Sequence, residues 1–199
     1  MKKYQSISFI SGILVVLIYL TFALLAFIRY PLPYTPIRNW FSDLGNINLN
    51  PGGAIFYNTG IIATASLLIL FFLGLSSWKM ENKRVQNIML LLSQGFGILG
   101  SICMIMSAIF PINIFKVHSF WSTSLYVMLS TAFVFSVAAL RYHRNIPLWL
   151  LILGLSTALV VMLTSILQNV YILEWITVLL FLSYVFLVGL ETRRLASGG

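Results

Sequence analysis

The chain has 199 residues, of which 60% are hydrophobic and only 8% are charged. A soluble domain carries about 25% charged residues, so this composition excludes a water-soluble globular domain and favours a protein that resides in the bilayer. The net charge is +8, but the basic residues form short, separate clusters and no continuous stripe, which argues against nucleic-acid binding. The single cysteine, Cys103, excludes an internal disulfide and a cysteine metal cluster.

Six apolar segments are long enough to cross the hydrocarbon core, which takes about 20 helical residues. They are predicted over 8–29, 53–77, 87–110, 117–140, 147–167 and 172–191. Apart from the first, the polar separators between them are short, and no linker or internal repeat divides the chain. The sequence therefore predicts an all-α integral membrane protein, a single bundle of six transmembrane helices over residues 1–199.

The long first separator contains "TPIRNWFSDLGNINLNPGG", residues 35–53, and predicts a short helix in the membrane interface. Thr35 suits the N-cap, Pro36 suits the first helical position, and Gly45 is expected to end the helix. Apolar residues recur along one face at Ile37, Trp40, Phe41 and Leu44. Polar residues occupy the opposite face at Arg38, Asn39, Ser42 and Asp43. The expected amphipathic helix covers about 35–45, with its polar face toward water or a vestibule.

The positions of Lys and Arg in the separators predict the orientation of the bundle. One side carries nine of them: Lys2, Lys3, Lys79, Lys83, Arg84, Arg141, Arg144, Arg193 and Arg194. The other side carries three: Arg29, Arg38 and Lys116. Because the side richer in Lys and Arg normally stays inside, we expect a multi-pass protein of the plasma membrane with both termini in the cytoplasm.

The predicted outer ends of the helices collect most of the unusual polar side chains. Besides Asp43 these are Asn58, His118, Ser122 and Glu174. His118 and Ser122 are four residues apart and share a helix face. Ionisable groups that border a membrane are costly to retain and therefore indicate function. Structural alternatives remain open: Asp43 could cap a neighbouring backbone group, and Glu174 could complement a helix dipole. His118 could bond a loop carbonyl, and Asn58 could bond another helix.

These residues give two sets of candidate site residues. The predicted ligand-binding set is Arg38, Asn39, Trp40, Ser42, Asp43, Asn58, His118, Ser122 and Glu174. The candidates for a catalytic role are Asp43, His118 and Ser42. A zinc site formed by His118, Asp43 and Glu174 is chemically possible but lacks a diagnostic spacing, so no metal and no cofactor are predicted.

The third helix carries a small residue at every fourth position, at Ser93, Gly97 and Ser101. Such a face allows close helix packing in membranes and could also serve as a contact between two copies of the chain. The neighbouring Gln94 is predicted to bond another helix.

Two stretches, "WFSDLGN…NPGGAIFYNTG" and "AIFPIN…VHSFWSTS", resemble the marked regions of a prokaryotic membrane family catalogued as domain of unknown function 998. The Ser-Asp-X-Gly piece is similar, more distantly, to a eukaryotic family that includes autophagy modulators and glycolipid-anchor remodelling factors. The closer resemblance implies the same multi-pass architecture but no reaction. It gives as motif positions Ser42, Asp43, Gly45, Asn58, Pro111 and His118.

Three functions are compatible with these features. The first is binding of a membrane lipid or other amphiphile in an outer vestibule, with the head group near Asp43, Asn58 and His118 and the acyl part along Trp40 and Phe41. The alternative is an intramembrane enzyme that acts on a lipid head group, with Asp43 and His118 in acid–base roles. The third is a small-solute transporter or channel, which needs a polar path from Asn58 past Gln94.

Overall fold

The computed structural model describes residues 3–167 and 169–197, and in this part of the chain every long element is an α-helix. The helices are α1 (Lys3–Phe27), α2 (Ala54–Gly74), α3 (Arg84–Ile109), α4 (Phe115–Leu140), α5 (Leu148–Ile166) and α6 (Tyr171–Ser197). Two short 3₁₀ helices, Phe41–Gly45 and Leu75–Trp78, accompany them.

All six helices are long and apolar enough to cross a membrane, which confirms the predicted fold class. Two of the helix boundaries follow directly from proline. α3 ends at Ile109 because the residue before Pro111, Phe110, leaves helical geometry at φ −110° and ψ 79°. Pro147, at φ −69° and ψ 139°, immediately precedes α5, where its missing N–H costs no helical hydrogen bond.

The helices form a closed ring in chain order, because each packs on its neighbours in sequence and α6 packs on α1. The connections alternate between the two ends of this ring. One end of the ring carries the α1–α2 connection, the α3–α4 turn and the start of α6, and we call it the site end. We call the opposite end the basic end.

Aromatic side chains fill the ring interior between the site end and the basic end. Phe133 of α4 packs edge-on against Tyr184 of α6, with ring centroids 5.1 Å apart. The Tyr184 hydroxyl lies 2.6 Å from Ser136 Oγ, so its polar end is also satisfied across the ring. Gly154 of α5 gives this cluster room, since a Cβ there would lie 2.6 Å from the Tyr184 ring.

The small-residue face of α3 packs within the chain. Ser93 and Ser101 are completely buried, and a Cβ on Gly97 would lie 2.4 Å from the Phe72 ring of α2. Gln94 donates from Nε2 to Phe72 O at 2.9 Å, to Leu73 O and to Ser76 Oγ, as expected of a residue that bonds another helix. A homo-oligomer would therefore have to use a surface other than Ser93, Gly97 and Ser101.

The α1–α2 connection, residues 28–53, lies over the site end, and we call it the covering segment. The predicted amphipathic helix over 35–45 is wrong. A single turn brings the N–H groups of Arg38 and Asn39 to Thr35 O at 3.1 and 3.0 Å. Trp40 then adopts an extended conformation at φ −63° and ψ 149°, and only Phe41–Gly45 forms a 3₁₀ helix.

Side chains of the covering segment compete with the helical hydrogen bonds, which explains the break. Asn39 Oδ1 accepts the N–H of Thr35 at 3.0 Å, and Asp43 Oδ2 accepts the N–H of Trp40 at 3.0 Å. The predicted apolar and polar faces are consequently mixed. Ile37 is 73% exposed, whereas Leu44 and Asp43 are only 1% and 7% exposed.

The covering segment is held to the bundle by buried polar contacts. Asn50 donates from Nδ2 to Ala26 O at the end of α1 and to Leu44 O, at 3.1 and 2.9 Å. Trp175 of α6 donates from Nε1 to Asn39 O at 3.0 Å. Because these contacts join the middle and the last part of the covering segment to the helices, the segment is an integral part of the site end.

Gly97→Ala tests the close contact between α2 and α3. We expect it to lower stability by about 1–3 kcal/mol, because the new Cβ would displace the buried Phe72 ring. Thermal unfolding in a mild detergent would measure the change. The matched control is Gly95→Ala on the same helix, where a Cβ meets nothing within 4 Å. Equal effects of the two substitutions would contradict the packing described for Gly97.

Asp43→Asn tests the buried carboxyl of the covering segment. Burial raises the pKa of Asp43 above its ordinary 3.8, although the N–H of Trp40 offsets part of the rise. The folded state therefore holds the proton more tightly than the unfolded state. The protonated Asp43 carboxyl therefore contributes to the free energy of unfolding in full below pH 3.8, and this contribution is lost as the pH rises through the raised pKa.

Asn keeps an acceptor for the N–H of Trp40 but does not ionise, so Asp43→Asn should remove this part of the pH dependence of the melting temperature. Glu81→Gln, at an exposed position, controls for loss of a carboxylate as such. A wild-type pH profile in Asp43→Asn would show that Asp43 is not the responsible group.

Candidate functional site

A cavity with two adjoining chambers occupies the site end of the ring. The inner chamber has a volume of about 80 Å³ and is lined by all six helices, among others through Tyr19, Asn58, Ser107, His118, Val161 and Glu174. The outer chamber, of about 260 Å³, lies between the covering segment, α4 and the facing ends of α5 and α6. Six residues line both chambers: Ser42, Ile112, His118, Ser122, Tyr126 and Glu174. They form a largely polar belt between the two spaces.

Glu174, in the first turn of α6, is the central acidic group of this belt. It is only 8% exposed. Its Oε2 accepts the backbone N–H and the hydroxyl of Ser42, each at 3.3 Å, and its Oε1 accepts the Tyr126 hydroxyl at 3.2 Å. Glu174 therefore ties the covering segment and α4 to α6. It forms no ion pair with any residue that the structure describes.

His118, in the first turn of α4, has one ring nitrogen fixed by the end of α3. Its Nδ1 lies 3.0 Å from both Ser107 O and Phe110 O. Because carbonyl oxygens only accept, Nδ1 must carry the proton, and the neutral ring then presents Nε2 as an acceptor.

Pro111 explains why these carbonyls are open to His118. In a regular helix the Ser107 carbonyl would accept the N–H of the residue four positions later. That residue is Pro111, which has no N–H. The two motif positions Pro111 and His118 therefore act together, since the proline leaves a carbonyl without its backbone donor and the histidine supplies the replacement.

Asn58 and Gly45 form a second close contact between α2 and the covering segment. Asn58 donates from Nδ2 to Gly45 O at 3.0 Å. A Cβ on Gly45 would lie 2.4 Å from Asn58 Oδ1 and 2.7 Å from the Tyr57 ring. The short helix ends at Gly45, as predicted. No glycine in the described residues has a positive φ, so Gly45 is required for this close approach.

Ser122 lies on the chamber wall but is engaged within its own helix. Its hydroxyl donates to His118 O at 2.8 Å. This bond makes it a poor candidate for a nucleophile activated by the His118 ring.

The structure brings five of the nine predicted ligand-binding residues to the wall of the inner chamber: Ser42, Asn58, His118, Ser122 and Glu174. Trp40 lines only the outer chamber, where it packs edge-on against Tyr171 with ring centroids 4.5 Å apart. Arg38 is exposed, Asn39 bonds the covering segment, and neither lines a chamber. Ligand binding by any of these residues stays a prediction.

Asp43 also lines neither chamber. Its carboxylate caps the Trp40 N–H, in agreement with the structural alternative considered for it. Within the described residues, no three His, Cys, Asp or Glu side chains lie close enough together to hold a metal ion. Unlike Asp43, Glu174 has a carboxyl group that lines both chambers.

Sequence reasoning missed several lining residues. Tyr126 is the most informative, since it donates to Glu174 and lines both chambers. It follows His118 and Ser122 at a further spacing of four, so the same helical periodicity that paired those two residues would have identified it. Tyr19 and Tyr57 also line the inner chamber, but nothing in their apolar sequence surroundings distinguishes them from ordinary core aromatics.

Comparison with known proteins assigns the chain to a family. A family model described as a protein of unknown function, DUF998, matches residues 13–191, from within α1 to within α6 and across both quoted motif regions. No curated protein and no solved structure matches the chain. The match confirms the resemblance seen in the sequence, and the chain belongs to the DUF998 family of multi-pass membrane proteins of unknown function.

Proposed function

We propose that the protein binds an amphiphile, supplied by the membrane lipids, in the two-chambered cavity. One observation supports this most directly: a cavity inside a membrane bundle joins a polar belt around Ser42, His118 and Glu174 to an apolar inner wall. Apolar walls with a few converging polar groups are typical of ligand sites. With the orientation predicted from the basic residues, the cavity faces the outer side of the plasma membrane.

The size of the chambers fits a division between the two parts of an amphiphile. A buried water needs about 10–15 Å³ of such space, so the inner chamber of about 80 Å³ has room for a short apolar group or several waters. Its apolar wall is formed by Ile61, Met104, Leu129, Val161, Val178 and Phe181. The larger outer chamber accepts the head group, beside His118 and Glu174.

This placement differs from the one predicted from sequence. The ring of Phe41 is not open to an acyl chain, because it packs against two other rings. Its centroid lies 4.6 Å from that of Trp175 and 5.8 Å from that of Tyr19. Asp43 does not contribute to the head-group site, because it lines neither chamber. In the proposal Glu174 takes the place assigned to Asp43.

Ala108→Leu tests the proposal by filling the inner chamber. Ala108 is a buried lining residue near the end of α3. We expect the variant to retain about tenfold less co-purifying lipid, because overfilling a packed site costs about 1–3 kcal/mol. Native mass spectrometry of protein released from mild detergent would measure the bound lipid.

Gly95→Leu is the control for Ala108→Leu, because it places the same side chain on the same helix where an added Cβ meets nothing within 4 Å. Wild-type lipid retention in Ala108→Leu, with an unchanged melting temperature, would contradict binding in this cavity.

A second candidate function, an acid–base enzyme acting on a lipid head group, is favoured by the geometry of His118. Its Nδ1–H is fixed by two carbonyls, and the ring lines both chambers together with Glu174. A neutral imidazole with an accepting Nε2 is suited to take a proton from a bound substrate. Asp43, the partner predicted from sequence, has no place in this version of the site.

Nothing in the described residues favours the third candidate, a transporter or channel. Gln94 lines neither chamber and is engaged with the end of α2. Aromatic side chains such as Phe133 and Tyr184 occupy the ring interior beyond the inner chamber.

The two histidines provide a test of the geometry on which the enzyme candidate depends. His118 has Nδ1 on carbonyls, whereas His143 has Nε2 3.1 Å from Trp78 O. Above about pH 8 both rings are neutral, and ¹⁵N NMR should show the Nδ1–H tautomer for His118 and the Nε2–H tautomer for His143. An Nε2–H tautomer at His118 would remove the proposed proton acceptor.

A further inference from the structure

The two chambers carry a carboxylate without a basic partner. Among the residues that the structure describes, Glu174 is the one acidic residue that lines either chamber, and no Lys or Arg lines them. A buried charge is normally retained only when it is paired or fully hydrogen-bonded. Since no ion pair with a described residue compensates Glu174, a ligand is the remaining source of a counter-charge in the cavity.

The hydrogen bonds to Glu174 suit its ionised form. The backbone N–H of Ser42 can only donate, and it does so to Oε2, while Tyr126 donates to Oε1. Both oxygens therefore act as acceptors, as in a carboxylate. The N–H and hydroxyl of Ser42 and the hydroxyl of Tyr126 bond the carboxylate oxygens, and the backbone N–H of Phe41 also favours the carboxylate. None of these donors carries a positive charge, so they solvate the carboxylate without neutralising it.

Aromatic residues contribute to the wall of the outer chamber that Glu174 also lines. Trp40, Phe115, Tyr126 and Tyr171 contribute to its wall. The faces of such rings attract ammonium groups through the ring quadrupole. A carboxylate combined with aromatic walls thus offers two favourable interactions to a cation.

The same wall is unfavourable for an anionic group. Of the described lining residues, His118 is the one with a basic side chain, and its Nδ1–H is already donated to Ser107 O and Phe110 O. In the neutral ring the remaining Nε2 is an acceptor. A phosphate or carboxylate placed next to Glu174 would meet like charge and lone pairs without a compensating cation.

We infer that the ligand is a cationic amphiphile whose ammonium group binds to the Glu174 carboxylate in the outer chamber. This inference rests on the proposed function, because it names the head-group chemistry of the amphiphile bound in the same cavity. The ammonium group supplies the positive charge that the neutral donors around Glu174 lack, and the adjoining apolar carbons lie along the aromatic wall.

Three probes that share one alkyl chain and differ in head-group charge test this selectivity: decylammonium, decanol and decanoate. Binding to the full-length wild-type chain in an uncharged detergent would be measured by microscale thermophoresis. We expect decylammonium to bind about tenfold or more tightly than the other two, because a desolvated charge pair contributes strongly to affinity.

Glu174→Gln should abolish this preference, so that decylammonium no longer binds more tightly than decanol. Glu191→Gln is the matched control, because Glu191 pairs with Arg194 near the end of α6, and it should keep the wild-type preference. Glu174→Asp, which preserves the charge, should keep the preference as well. The order of the three probes on the wild-type chain decides the inference even if Glu174→Gln does not fold.

Two outcomes separate the inference from the proposed function. If the three probes bind equally and Ala108→Leu weakens all of them, the cavity binds amphiphiles without selecting cations, which overturns the inference alone. If Ala108→Leu changes the binding of none of them, the cavity is not their site and both proposals fail.

Discussion

The hydrogen bonds to the Glu174 carboxylate are the interaction on which the site end depends. They connect three parts of the chain, since the carboxylate lies on α6, Tyr126 lies on α4 and Ser42 lies on the covering segment. A bilayer core offers no hydrogen-bond partners, so a charged group at the rim of the bundle has to be satisfied by the protein. Satisfying it draws the covering segment over the ring and forms the belt between the chambers.

At the α3–α4 turn, too, a buried polar group has to find its hydrogen-bond partner within the protein. Pro111 removes the backbone donor that the Ser107 carbonyl would otherwise have, and the buried carbonyl needs a replacement. His118 supplies it through Nδ1, which fixes the ring plane and directs its other nitrogen away from the backbone. The orientation of the His118 ring in the cavity is thus a consequence of how α3 ends.

The six helices could be predicted from sequence because the bilayer sets a minimum apolar length, a strictly local property. The covering segment could not, because its helical periodicity was real but Asn39 and Asp43 use their side chains on nearby backbone N–H groups. The inward position of Ser42 depends on Glu174, which lies 132 residues away in the chain. No local pattern contains that contact.

Sequence reasoning placed Asp43 and Glu174 together at one end of the bundle, and the structure adds that only Glu174 of the two lines the chambers. Helix position alone placed Asn58, His118 and Glu174 at one end, whereas distinguishing Asp43 from Glu174 required knowing which of them faces the ring interior. Asp43 occurs in the more conspicuous motif, yet its role is to shape the backbone around Trp40. The less conspicuous Glu174, in the first turn of an apolar helix, faces both chambers.

Under the proposed function, Glu174 would link ligand binding to the covering segment. The carboxylate that would bind the cation in the outer chamber is the one that accepts the N–H and the hydroxyl of Ser42. The cation and these donors all favour the ionised carboxyl group, so each interaction would strengthen the other. A ligand that binds only the arrangement with Ser42 in place would stabilise that arrangement by mass action.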